Sequence, residues 1–194
     1  NIKGTSENIT VKNLSLSETK SVGILALDTT NNITYDNLTA YNCGDTGIYL
    51  ETSGTIKNCT VYDVGLLYTD MGDKGGIGVQ LGDVVVENNE VYNIGRIDTN
   101  TDFGISFWEP GQVTVRYNYV HDIYSGAIQI YSGGSGSVIA YNILEDYGKS
   151  EYSGSTSGKF SGIRISGTEG DSSRGAINLY NNIFTGGRWA KGND

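Results

Sequence analysis

One phrase recurs along this chain and constrains its fold more than anything else: an apolar strand, an asparagine turn, then a further apolar residue. Ile9-Thr10-Val11-Lys12-Asn13-Leu14-Ser15-Leu16 and Val113-Thr114-Val115-Arg116-Tyr117-Asn118-Tyr119-Val120 are two of its seven copies. Taking Val11, Tyr35, Ile56, Val86, Val115, Ile139 and Leu179 as equivalent, the spacing runs from about 21 to about 40 residues, a minimal coil plus insertions. A second phrase lies between copies, a small residue followed by isoleucine: Gly23-Ile24, Gly47-Ile48, Gly76-Ile77, Gly104-Ile105, Ala127-Ile128 and Gly162-Ile163. Period-2 alternation without any helical stretch reads as an all-β solenoid. Each coil supplies one strand to each of three parallel sheets, pairing with the next coil about 4.8 Å away.

Composition fits such a coil. Glycine is abundant at 28 and proline nearly absent at 1, as tight bends combined with unbroken ladders require. A net charge of −9 and the absence of a basic stripe argue against a nucleic-acid partner. No apolar run is long enough to span a membrane. Cys43 falls in an inward column with Val64, Ile94, Ile123 and Tyr147, and Cys59 in a bend column with Leu14, Leu38, Asn89, Asn118, Asn142 and Asn182. A strand and a coil step separate the two, beyond the roughly 7 Å between Cα atoms that a disulfide tolerates, so both are expected as buried thiols.

The bend column ending in Asn89, Asn118, Asn142 and Asn182 resembles the asparagine ladder of right-handed parallel β-helix proteins, the pectate lyase-like superfamily. The phrases VVVENNEVYN, VTVRYNYVHD and INLYNNIF resemble its repeat, and the likeness covers essentially the whole chain. It implies a right-handed parallel β-helix of about seven coils, a single-stranded solenoid, with a glycan groove over the Gly-Ile sheet. The first coils depart from the ladder, carrying Leu14, Leu38 and Cys59 there. The neighbouring outward column, Asn13, Asn37, Asn58, Asn88, Tyr117, Tyr141 and Asn181, is where the bend asks for left-handed backbone.

Insertions cluster at the margins of the Gly-Ile sheet: Gly65 to Gly75, Gly95 to Phe103 and Gly148 to Ser161 before its strands, and Gly167 to Ala176 after one. Loops that grow along one sheet build walls beside it, and solenoids carry binding on the face so framed. Alternation puts Leu25, Tyr49, Gly78, Ser106, Gln129 and Arg164 in one outward column of that sheet, and Leu27, Glu51, Gln80, Trp108, Tyr131 and Ser166 in the next. Tyr49, Gln80, Ser106, Trp108, Gln129, Tyr131 and Arg164 are the substrate-binding candidates, since sugars stack C–H faces on rings and bond hydroxyls to amides.

Asp70, Asp73, Asp98 and Asp102 lie in insertions of adjacent coils and form an oxygen-rich set suited to Ca²⁺, the one cofactor this sequence suggests. The catalytic candidates are Arg164, Asp70, Asp73, Asp102 and Glu109: a basic residue for β-elimination, or carboxylates for glycoside hydrolysis. Lys74 and Arg96 are the other basic residues near the face. His121, the only histidine, falls in an outward column after Tyr41, Tyr62 and Tyr92 on a different sheet, so it extends a tyrosine stack there. The Asp-Pro-His-Asp motif of alginate epimerases is absent, and the calcium aspartates and paired basic residues of pectate lyases find no one-to-one match.

These readings make residues 1–194 a single β-helix domain, expected to be a monomeric piece of a longer chain, secreted or at the cell surface, with further domains attached. Its expected partner is a polysaccharide of plant, algal or bacterial origin. Lyase, glycoside hydrolase, non-catalytic binding module and structural stalk or adhesin are the functions compatible with it.

Overall fold

The computed structural model describes residues 7–28, 30–66, 75–96, 102–149, 161–167 and 175–187. These residues form strands, bends and turns with no helix, and every strand pair is parallel. Six strands make the Gly-Ile sheet, in the order Ile24–Ala26, Thr46–Leu50, Gly75–Gln80, Phe103–Trp108, Ile128–Tyr131, Ile163–Ser166. Their register stacks Ile24, Ile48, Ile77, Ile105, Ile128 and Ile163 in one inward column. The four middle isoleucines are completely buried, and Ile24 and Ile163 pack against them from either end.

The small residue ahead of each isoleucine has a steric cause. A Cβ at Gly76 would sit 2.3 Å from Val91 Cγ1, and one at Gly104 would sit 2.4 Å from Val120 Cγ1. At Gly76 and Gly104 the strands therefore enter against the valines of the neighbouring sheet at a separation that leaves no room for a Cβ, and the column tolerates nothing larger than the alanine of Ala127.

The remaining strands form one folded ladder of twelve rather than two separate sheets. Thr10–Ser17 and Ile33–Tyr41 each run unbroken through the bend, with Leu14 paired to Leu38. In later coils the bend divides the strand, as between Val113–Arg116 and Tyr119–Ile123. The asparagine column explains the division. The backbone N–H groups of Asn89, Asn118 and Asn142 leave the ladder and donate to the side-chain oxygens of Asn118, Asn142 and Asn182, each at 3.0 Å. Leu14 and Leu38 face Leu38 and Cys59 of the following coils, neither of which offers an amide oxygen, and backbone pairing carries on.

The amide ladder itself is regular. The Nδ2 groups of Asn89, Asn118 and Asn142 each donate to the next Oδ1 at 2.9 Å, and also to the carbonyls of Ile56, Val86 and Val115 at 3.0 Å. Cys59 occupies the same column with a thiol, whose Sγ lies 3.1 Å from the Lys57 carbonyl. Burial pushes that thiol up to about 11, and both cysteines are free and buried.

All seven residues of the outward bend column have φ between 53° and 59°, including Tyr117 and Tyr141. A second left-handed column, Glu18, Asn42, Asp63, Asn93, Asp122 and Asp146, turns the chain at the far end of the next strand. Between the two columns Tyr41, Tyr62, Tyr92 and His121 stack nearly parallel at 4.9 to 5.1 Å.

Candidate functional site

The outward face of the Gly-Ile sheet carries the columns expected of it. Tyr49, Gly78, Ser106, Gln129 and Arg164 are successive register partners, as are Gln80, Trp108, Tyr131 and Ser166. Trp108 and Tyr131 stack on each other with centroids 4.3 Å apart and planes 19° from parallel. They therefore share their facing surfaces, while the outer surfaces and edges of the pair remain for other contacts. Trp108 is 39 % exposed even so, and the smaller side chains of Gln80 and Ser166 flank the pair. Gln129 is buried beside it at 5 % exposure. Arg164 is half-buried and makes no ion pair among the described residues.

Tyr49 behaves differently from the stacked pair. A Cβ at Gly78 would lie 2.6 Å from Tyr49 Cδ2, so this ring leans across the bare glycine of the next strand. Its hydroxyl then reaches Gln80 Oε1 and donates to it at 2.8 Å. Burial, with the carboxylates of Glu51 and Asp45 nearby, pushes the Tyr49 phenol up to about 12. Val22, Leu25, Asp45, Thr46, Tyr49 and Glu51 line a depression of about 300 Å³ at this end of the sheet. Sequence reasoning placed Glu51 and Leu25 on the face without seeing the hollow. A large ring in register with a glycine was the available signal.

The carboxylates separate into different environments. Glu109 follows Trp108, is exposed, and sits at φ 50° with its N–H donating to the Tyr131 carbonyl at 2.9 Å. Asp102 is completely buried: its Oδ2 accepts the Arg96 N–H at 3.3 Å, and its own N–H donates to Ser125 Oγ at 3.3 Å. A Cβ at Gly95 would meet the Asp102 side chain at 2.5 Å. Asp102 thus ties the two ends of an insertion together at the sheet margin. Asp70, Asp73, Lys74 and Asp98 lie outside the described residues. Among the described residues no three His, Cys, Asp or Glu side chains come together in a way that would hold a metal ion.

His121 caps the tyrosine stack on the folded ladder, away from this face. Its Nδ1 lies 2.8 Å from Asp122 Oδ2, and its ring centroid lies 4.2 Å from that of Tyr119. Asp122 also accepts from Lys149 Nζ, which with His121 holds its carboxyl below the ordinary carboxylate range.

Parallel strands, a stacked isoleucine core and an internal amide ladder define the protein as a β-helix. Residues 1–184 match the family described as right handed beta helix region, and the chain belongs to that family. Among solved structures it is similar to the A-module of the mannuronan C-5 epimerase AlgE4 of Azotobacter vinelandii, with a TM-score of 0.59 and 14 % sequence identity. That similarity covers 93 % of this chain and 54 % of the other, so the chain spans about half the epimerase module's length. At this identity the likeness concerns the fold alone. No curated protein matches the sequence.

Proposed function

We propose that the protein binds and processes an extended polysaccharide along the outer face of the Gly-Ile sheet. The observation that carries this reading is the Trp108–Tyr131 stack set beside Gln129 and Arg164, which makes no ion pair among the described residues. An aromatic pair offers area for sugar C–H faces, a buried amide fixes hydroxyl geometry, and a guanidinium without a carboxylate partner suits a uronate. The epimerase module with the similar fold acts on mannuronan, which supports a uronate-containing glycan as the substrate class.

In this reading Arg164 neutralises the substrate carboxylate or takes part in proton transfer, and Glu109 is the exposed carboxylate next to the aromatic pair. Ca²⁺ held by Asp70, Asp73 and Asp98 belongs to the same reading, and Asp102 contributes by anchoring a loop. A glycan partner also supports secretion or display at the cell surface. A second reading, a binding module without catalysis, draws support from His121: the only histidine of the chain faces another sheet.

The test is incubation with mannuronan, polygalacturonate and neutral plant glycans. Absorbance from unsaturated uronate marks a lyase, new reducing ends without it a hydrolase, and gel retardation without turnover a binding module. Trp108→Ala is expected to weaken binding by roughly 1–2 kcal/mol through lost stacking area, with His121→Ala as the unaffected control. Parent-like binding of every active glycan by Trp108→Ala would move the site to another face.

A further inference from the structure

The groove carries opposite charges at its two ends. Glu51 stands at the end near the strand Thr46–Leu50, directly beyond Leu50 on the course that Gln80 continues in the next strand. It is half-buried, its N–H donates to the Ala26 carbonyl at 2.9 Å, and its carboxylate has no ion pair among the described residues. The hollow beside it has an apolar side in Val22 and Leu25 and an aromatic side in Tyr49. Arg164 lies four strands away along the same face, in register with Gln129. Neither charge is neutralised by the other or by a described neighbour.

Resting on the proposed glycan groove, we infer that the hollow bounded by Glu51, Tyr49 and Leu25 is a subsite for a sugar unit without a carboxylate. Arg164 correspondingly receives a carboxylate-bearing unit, so the face reads a glycan in one direction. Four strand steps of about 4.8 Å place the two ends about 19 Å apart. One sugar of an extended glycan advances by about one strand step, so about five consecutive units bridge the ends.

The chemistry of the hollow supports the assignment. An apolar patch and a ring receive the C–H face of a pyranose, and the Glu51 carboxylate accepts from its hydroxyl groups. A second carboxylate brought within a few ångströms of Glu51 meets like-charge repulsion, strengthened because the hollow is partly screened from water. A neutral sugar avoids this penalty, and an amino sugar gains an attraction in its place. The Tyr49 phenol is raised first by burial and further by the carboxylates of Glu51 and Asp45 beside the hollow. The stacked middle of the groove at Trp108 and Tyr131 does not discriminate by charge, since rings accept either kind of unit.

The test measures dissociation constants by calorimetry at low salt for matched pentamers. The probes are cellopentaose against its fully oxidised pentaglucuronate, mannopentaose against pentamannuronate, and the glucosamine pentamer. Glu51→Gln, an isosteric surface change, should raise the ratio of uronate to neutral affinity about tenfold, and Arg164→Gln should lower it about tenfold. If Glu51 prefers an amino sugar, Glu51→Gln should also weaken the glucosamine pentamer more than cellopentaose. An affinity ratio unmoved by Glu51→Gln, while Trp108→Ala weakens every glycan, overturns the polarity and leaves the groove standing. If no pentamer binds the parent protein, groove and polarity fall together.

Discussion

Replacing Asn118 by leucine tests the amide ladder at a buried middle rung. Asn118 is 1 % exposed, and its side chain makes four contacts of hydrogen-bond length. Its Oδ1 accepts from the Asn89 backbone N–H at 3.0 Å and from Asn89 Nδ2 at 2.9 Å, and its Nδ2 donates to the Val86 carbonyl and to Asn142 Oδ1. Leucine has the same heavy-atom branching and is the bulkier side chain, so no cavity term enters. The Asn89 N–H loses its acceptor outright, a cost of about 1–3 kcal/mol for a buried donor. Asn89 Nδ2 and the Val86 carbonyl each lose a bond worth about 1 kcal/mol net, while Asn142 Oδ1 keeps the Asn118 backbone N–H. The expected loss is therefore about 3–5 kcal/mol, read from urea unfolding followed by both intrinsic fluorescence and far-UV circular dichroism. Asn182→Leu provides the calibration. Asn182 is only half-buried, water can replace the lost partners, and about 1 kcal/mol is expected. Equal losses at the two positions, or an Asn118→Leu stability within about 0.5 kcal/mol of the parent, would show that the amides contribute no more than the leucines of the first coils.

Two further outcomes follow from buried or acidic groups. The Tyr35 hydroxyl lies in the core without a hydrogen-bond partner among the described residues, so Tyr35→Phe should stabilise the protein by about 1 kcal/mol, and a comparable loss in denaturant titration would reveal a hidden partner. If Asp70, Asp73 and Asp98 hold Ca²⁺, excess Ca²⁺ should raise the calorimetric midpoint and EDTA should lower it, whereas identical midpoints would remove the metal from the proposal.

Much of the architecture was legible because it is periodic. The isoleucine column, the left-handed bend column, the buried cysteines and the tyrosine stack ending in His121 all follow from alternation and a constant bend. What escaped the sequence depends on where a side chain swings rather than on which face it leaves. Alternation puts Trp108 and Tyr131 on the groove but does not show that they spend one face each on the other. It puts Tyr49 on the groove without showing that it leans over Gly78. Spacing puts Asp102 among the Ca²⁺ and catalytic candidates without showing that Gly95 and Ser125, brought beside it by the coiling, enclose it. The joining of two expected sheets escaped as well, because it turns on whether a bend N–H finds an amide oxygen in the next coil. The second left-handed column has its own signal in the recurrent Asn and Asp one residue after the stacked outward position.

The amide ladder also has a direction. From Asn89 to Asn118 to Asn142 to Asn182, each backbone N–H and each Nδ2 looks forward to the oxygen of the following coil, while the second Nδ2 bond looks backward to a carbonyl of the preceding one. The amide dipoles point the same way and polarise one another in series. Undoing the Asn182 rung strips the acceptor shared by the Asn142 N–H and Nδ2, whereas undoing the Asn89 rung takes two donors from Asn118 Oδ1 and leaves that bend's N–H bonded to Asn142. The solenoid is thus a zip with a preferred opening end: disorder spreads from high-numbered coils toward low-numbered ones more readily than in reverse, although the strand pairing itself repeats alike in both directions.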